Sequence, residues 1–188
     1  ENCKEKEVML NELLLAEEIR KWSAEVLEIP CNKHNDLPAC PFAKNSWDKQ
    51  KVKCVLGKGG LWKDIITYIE NFDDTYDVVI YCGTDYEDIT AEEVEERIML
   101  LNEYAVPRNL WVMGAHPDTE ISHAADQEHF VPMSDEDYYQ IFIQRLDILV
   151  KASDNIKAKG YYQNYINEDF KSLVKSRKNK WQKWIKQK

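Results

Sequence analysis

The spacing of apolar residues along the chain predicts an alternation of helices and strands. Residues 5–28 place apolar side chains at three- and four-residue intervals, which is typical of an amphipathic helix, and Pro30 ends it. Three short segments each stop at a glycine and predict strands: residues 51–56, which begin with polar/apolar alternation, and the apolar runs at 78–82 and 110–113. The run at 78–82 contains no charged position, which is typical of a strand buried on both faces.

Helical patterns occupy the intervals between these strands. Residues 61–69 have one apolar face, and residues 90–104 begin with a capping box, in which Thr90 and a glutamate three residues later bind each other's backbone amides. Residues 134–150 carry apolar side chains at helical spacing. They predict another helix, which extends until Gly160 breaks it.

The order of these elements predicts an α/β fold. Alternating strands and helices favour right-handed crossovers and a small, mainly parallel sheet flanked by helices. Three strands make a small sheet, so we expect a fourth, with residues 124–132 as the candidate segment. A ferredoxin-like α+β layer is the alternative. Residues 1–170 are predicted to form one domain, and residues 171–188 a basic C-terminal helical tail.

Composition restricts the class of protein. The chain has 188 residues, of which 44% are hydrophobic and 31% charged, as in ordinary globular domains. No apolar run approaches the roughly 20 residues of a membrane helix. The five irregularly spaced cysteines differ from the even set of a disulfide scaffold. We therefore expect a cytoplasmic protein without a membrane span, in which only Cys31 and Cys40 could bridge or share a metal.

Charge is distributed unevenly along the chain. Residues 171–188 contain eight Lys or Arg and no acidic residue, whereas the rest of the chain has 17 basic and 34 acidic side chains. Trp181, Trp184 and Ile185 share one helical face of this tail. Docking of the tail on the acidic body is favoured over binding of a partner. The acidic body argues against nucleic acid as a partner.

Residues with reactive or metal-binding side chains are concentrated in two loops. His34 and Cys40 lie in a proline-rich loop, residues 30–44, while His116, Asp118 and further histidines follow the third predicted strand. Because the carboxyl ends of parallel strands share one edge of a sheet, we expect a small polar substrate to enter there.

Two chemical interpretations of these loops stay open. In the first, His116, Asp118, His123 and Cys40 hold zinc or iron, metals that suit imidazole, carboxylate and thiolate ligands. In the second, Cys40 is a nucleophile or redox thiol, His116 is its base and Asp118 orients that base. Against both, Cys40 can pack in the core, and the segment from His116 to Asp118 can form a simple turn.

The chain resembles a bacterial family of uncharacterised proteins with a Cys-Pro-Phe-Ala segment after an amino-terminal helix and a later strand ending in His-Pro. The matching residues are Trp22, Cys40-Pro41-Phe42-Ala43, the strand 52–56 and His116-Pro117. This resemblance implies a site at Cys40 and His116 and no defined activity. The segment 31–38 and the basic tail depart from the pattern, so the roles of Cys31 and His34 stay open.

These observations favour a small enzyme of unknown reaction that is metal-assisted or thiol-dependent. Cys40, His116 and Asp118 are its predicted catalytic residues. The alternative is a non-catalytic interaction protein that binds a partner through residues 171–188.

Overall fold

A computed structural model describes residues 2–57, 62–118, 138–164 and 168–186. Its helices are α1 (Asn2–Trp22), α2 (Ala43–Asp48), α3 (Trp62–Glu70), α4 (Ala91–Ala105), α5 (Leu146–Ala158) and α6 (Glu168–Lys186). Its strands are β1 (Pro30–Cys31), β2 (Leu37–Pro38), β3 (Val52–Gly57), β4 (Val78–Gly83), β5 (Leu110–Ala115) and β6 (Tyr139–Arg145). A π-helical turn, Ser23–Leu27, continues α1. None of the described helices is both long enough and apolar enough to cross a membrane.

Four strands form the central sheet of the described residues, in the order β3-β4-β6-β5. β3 and β4 are parallel, whereas β6 runs antiparallel to both β4 and β5. β3, β4 and β5 therefore point the same way, and their carboxyl ends share one edge. The predicted α/β class is confirmed, but the sheet is mixed, with one parallel pair, instead of mainly parallel.

The antiparallel strand lies where the apolar pattern predicts a helix. Tyr139–Arg145 is β6, and helical structure begins only at Leu146. Tyr139, Ile141 and Ile143 are buried on one face of the sheet. In a run this apolar, strand and helix periods both fit, and pairing with strands on both sides selects the strand. The segment 124–132, predicted as a strand, lies outside the described residues.

Helices cover both faces of the sheet. α3 and α4 pack on the face that carries the larger apolar core, which includes Tyr81, Val112 and Ile141. On the opposite face, Ile19 of α1 packs against Ile80 of β4, and α5 packs against the β5 side of the sheet. The sheet is therefore the middle of three layers.

Residues 171–186 of the basic tail form the greater part of α6, which packs against α5. Trp181 joins the apolar cluster beneath α5. Arg177 is buried and donates to the Ser153 hydroxyl, and Lys178 pairs with Asp154 at 2.8 Å. The tail is therefore docked on the acidic body, as its charge favours.

Candidate functional site

His116 follows β5, and its side chain forms hydrogen bonds with two loops at the carboxyl edge of the sheet. Its side chain is buried, and the backbone N–H of Asp118 donates to its Nδ1 at 3.1 Å. Its Nε2 lies 2.9 Å from the carbonyl oxygen of Tyr86. Because Nδ1 accepts a hydrogen bond, Nε2 carries the proton and donates to Tyr86. Both ring nitrogens are therefore engaged with backbone groups.

Asp118 contacts His116 through its backbone and does not orient the imidazole as a catalytic carboxylate would. The Asp118 side chain is 85% exposed, and its Oδ2 lies 3.7 Å from Nδ1. An orienting carboxylate accepts a hydrogen bond from Nδ1–H, whereas Nδ1 is itself the acceptor here. The predicted base–orienter pair is therefore not formed.

Cys40 lies at the opposite end of the sheet from His116. Cys40 borders a cavity together with Asp77 and Val78, at the start of β4, whereas His116 contacts Tyr86, beyond the end of β4. β4 has six residues and spans roughly 17 Å at about 3.3 Å per residue. This is several times the reach of a nucleophile–base hydrogen bond. The structure does not bring the predicted catalytic residues together.

The predicted metal ligands are also separated. His116 and Asp118 are neighbours, Cys40 is at the other end of the sheet, and His123 lies outside the described residues. Across residues 2–57, 62–118, 138–164 and 168–186, no three His, Cys, Asp or Glu side chains are grouped as metal ligands. The described part of the chain thus does not assemble the predicted zinc or iron site.

The proline-rich loop forms a small hairpin that precedes Cys40 and is fastened to the end of α5. Its strands β1 and β2 pair antiparallel. The buried His34 ring stacks on Tyr161 with 4.7 Å between ring centroids, and the Tyr161 hydroxyl donates to the Ala39 carbonyl oxygen. Cys31 and Cys40 are both free thiols. His34 therefore packs the loop onto the segment that follows α5.

The environment of Cys40 disfavours a thiolate. Burial raises the pKa of the Cys40 thiol, and the negative charge of Glu28 adds to this effect. The backbone N–H groups of Phe42 and Ala43 act in the opposite direction but are weaker than burial. The thiol is therefore protonated at neutral pH.

We expect slow alkylation of Cys40 by iodoacetamide in the folded protein at neutral pH. Only the thiolate reacts, so the rate should still be rising beyond about pH 8.5, the ordinary thiol pKa. Peptide mass spectrometry would measure the rate, with Cys40→Ser as the control that identifies the signal. A rate that levels off well below that pH would instead reveal an activated thiolate.

A cavity of about 220 Å³ lies between the sheet and helices α1, α2 and α5. Its lining is mostly apolar, and four of the lining side chains are aromatic: Trp22, Phe42, Trp47 and Phe142. The polar lining residues are Ser23, Asn45, Ser46, Asp77, Gln144 and Arg145. The cavity lies at the amino ends of β3 and β4, opposite to the edge where we expected a substrate.

The charged groups of the lining are paired within the protein. Asp77 accepts a hydrogen bond from the Ser46 hydroxyl at 2.8 Å and lies 3.6 Å from Lys51 Nζ. Arg145 Nε lies 3.5 Å from an Asp147 carboxylate oxygen. The cavity therefore offers a ligand mainly neutral surface.

Gln144 differs from these charged groups because its side chain has no partner among the described residues. It pairs in register with Val78, so both side chains lie on the cavity face of the sheet. The half-buried Gln144 amide makes no hydrogen bond with any residue that the structure describes. Its donors and acceptor are available to a ligand.

Sequence reasoning missed the cavity because its lining comes from segments far apart in the chain. One signal did mark it. Trp22, Cys40, Phe42 and Ala43, which carry the resemblance to the Cys-Pro-Phe-Ala family, all line the cavity. Cys40 therefore borders a cavity, whereas His116 is not among the residues that line it.

Comparison with known proteins provides no independent assignment. No protein-family model, no curated protein and no solved structure matches the chain. The resemblance carried by the Cys-Pro-Phe-Ala segment and the His-Pro pair stays a prediction. The cavity and its lining are therefore the features of this protein that bear on its function.

Proposed function

We propose that the protein binds a small, mainly apolar molecule in the cavity beside Cys40. The observation that carries this proposal is a partly open, mostly apolar cavity of about 220 Å³ with hydrogen-bonding groups in its wall. Ligand sites are typically concave and mostly apolar, with a few polar groups that fix orientation. An engineered apolar cavity of about 150 Å³ binds benzene, so this volume admits a somewhat larger molecule.

Binding is favoured over thiol-dependent catalysis. Among the described lining residues there is no histidine that could activate the Cys40 thiol, and burial raises the pKa of that thiol. A nucleophilic cysteine needs an adjacent base or a lowered pKa. The free thiols of Cys31, Cys54 and Cys82 support a reducing location such as the cytoplasm.

A partner bound through residues 171–188 is the weaker alternative. Arg177 and Trp181 of this segment are already committed to contacts with α5 and its surroundings. Lys178 and Lys180 pair with acidic side chains of the body. A partner would have to use the outer face of α6, where Leu173 and Ile185 are exposed.

Filling the cavity should abolish ligand binding. Ala152 of α5 lines the cavity, and Ala152→Phe would place a ring inside it at an overpacking cost of about 1–3 kcal/mol. We expect small apolar probes that bind the wild type to bind this variant at least about tenfold more weakly. Ligand-observed NMR would measure binding, and circular dichroism would verify the fold.

The matched control is Ala158→Phe, at an exposed position of the same helix, which should bind probes as the wild type does. Unchanged binding to a folded Ala152→Phe variant would contradict the proposal. So would the failure of every small apolar probe to bind the wild type.

A further inference from the structure

We infer that the cavity's ligand is a planar nitrogen heterocycle of about purine size, held against aromatic walls and recognised along one edge by Gln144. This inference rests on the proposed function and adds the chemical class of the ligand. It follows from three properties of the cavity, namely its aromatic walls, its unpartnered amide and its volume. Each property excludes a different class of ligand.

The aromatic walls favour a planar ligand. Trp22 ends α1, Phe42 precedes α2, Trp47 lies in α2 and Phe142 lies in β6, yet all four residues line one cavity. The Arg20 guanidinium lies 5.7 Å from the centroid of the Trp47 ring, a cation–π contact that holds this ring. Heterocyclic bases stack on such rings because every base has a π-face. An aliphatic ligand would gain nothing from this arrangement beyond apolar burial.

The Gln144 amide favours a ligand with both donors and acceptors on one edge. A glutamine amide offers two N–H donors and one carbonyl acceptor. It pairs in a bidentate manner with N6 and N7 of adenine, and N9–H and N3 of free purine form another edge with one donor beside one acceptor. A half-buried amide without a partner loses hydrogen bonds to water, and a matching ligand would replace them. Asn45 borders the same cavity and adds a second polar side chain.

The volume of the cavity limits the size of the ligand, and the charged groups of its lining limit the charge of the ligand. Scaling from benzene in about 150 Å³, a cavity of about 220 Å³ holds roughly nine ring atoms, as in a fused bicyclic system. Arg145, the one cation among the described lining residues, pairs with Asp147, so a phosphate has no free counter-charge there. The geometry therefore favours a free heterocycle over a nucleotide.

Three probes with equal numbers of heavy atoms test this inference: purine, indole and cyclooctanol. Isothermal titration calorimetry should show purine binding at least about tenfold tighter than indole, and indole tighter than cyclooctanol.

Gln144→Met removes the amide at nearly constant side-chain length. It should abolish the preference for purine while leaving the affinity for indole within about twofold. Trp47→Leu should weaken purine and indole but not cyclooctanol, and Gln163→Met, at an exposed position, serves as the control.

The outcomes separate this inference from the proposed function. Equal binding of purine and indole, unchanged in Gln144→Met, would overturn recognition by the amide. If cyclooctanol binds as tightly as purine, the inference that the ligand is aromatic is wrong. In both cases a binding cavity would stand. If none of the three probes binds the wild type, the inference and the proposed function fail together.

Discussion

Replacing Asn102 with leucine is expected to destabilise the protein by about 3 kcal/mol, because two buried backbone groups would lose their partners. The Asn102 side chain donates to the Val112 carbonyl oxygen at 2.8 Å and accepts from the Val112 N–H at 2.9 Å. Both residues are buried. β5 is the outer strand of the described sheet, so this amide takes the place of a neighbouring strand.

Urea unfolding monitored by circular dichroism would measure the free energy of unfolding of Asn102→Leu. The control is Asn155→Leu, at an exposed position of α5, for which we expect a change within about 0.5 kcal/mol. A loss below about 1 kcal/mol for Asn102→Leu would show that the Val112 backbone groups find other partners.

Replacing Gly83 with alanine is expected to cost about 3 kcal/mol, at the upper end of overpacking effects. Gly83 pairs in register with Tyr139, whose ring lies over the glycine. A Cβ at Gly83 would lie 2.1 Å from Cζ of Tyr139, which is far inside van der Waals contact. Tyr139 is 1% exposed, so its ring has no free space into which it could move.

A double-mutant cycle would identify the source of this cost. Tyr139→Leu removes the ring atoms that the new Cβ would meet, so Gly83→Ala in that background should cost less than about 1 kcal/mol. Thermal or urea unfolding of the four proteins would provide the coupling free energy. If Gly83→Ala lowers the free energy of unfolding equally in both backgrounds, the glycine is required by the backbone at position 83 and not by the Tyr139 ring.

Local sequence patterns were sufficient to predict those elements whose pattern is compatible with only one type of secondary structure. The capping box predicted at Thr90 is present, with the Thr90 hydroxyl and the Glu93 side chain each bonded to the other's backbone N–H. The apolar run at residues 78–82 forms β4, whose central residues are buried. Such features depend on residues within a few positions of one another, and the sequence displays them directly.

The roles of His116 and Cys40 depended on distances that no local pattern contains. Both residues lie in loops, as predicted, but the two loops lie at opposite ends of the sheet. This separation results from the path of the chain, because the loop with Cys40 precedes β3 whereas His116 follows the carboxyl end of β5. The same path places Cys40 and Gln144 in the lining of one cavity, although no spacing rule connects these two residues.

By itself, the sequence determined the α/β class, the positions of most helices and of three strands, and the charge that favours docking of α6. Only the tertiary structure decided that β6 is a strand inserted between β4 and β5, and that Cys40 borders a cavity without His116. The physical reason is the range of the interactions. Periodicity and capping act over a few residues, whereas a strand in an apolar run and a cavity both depend on contacts between distant segments.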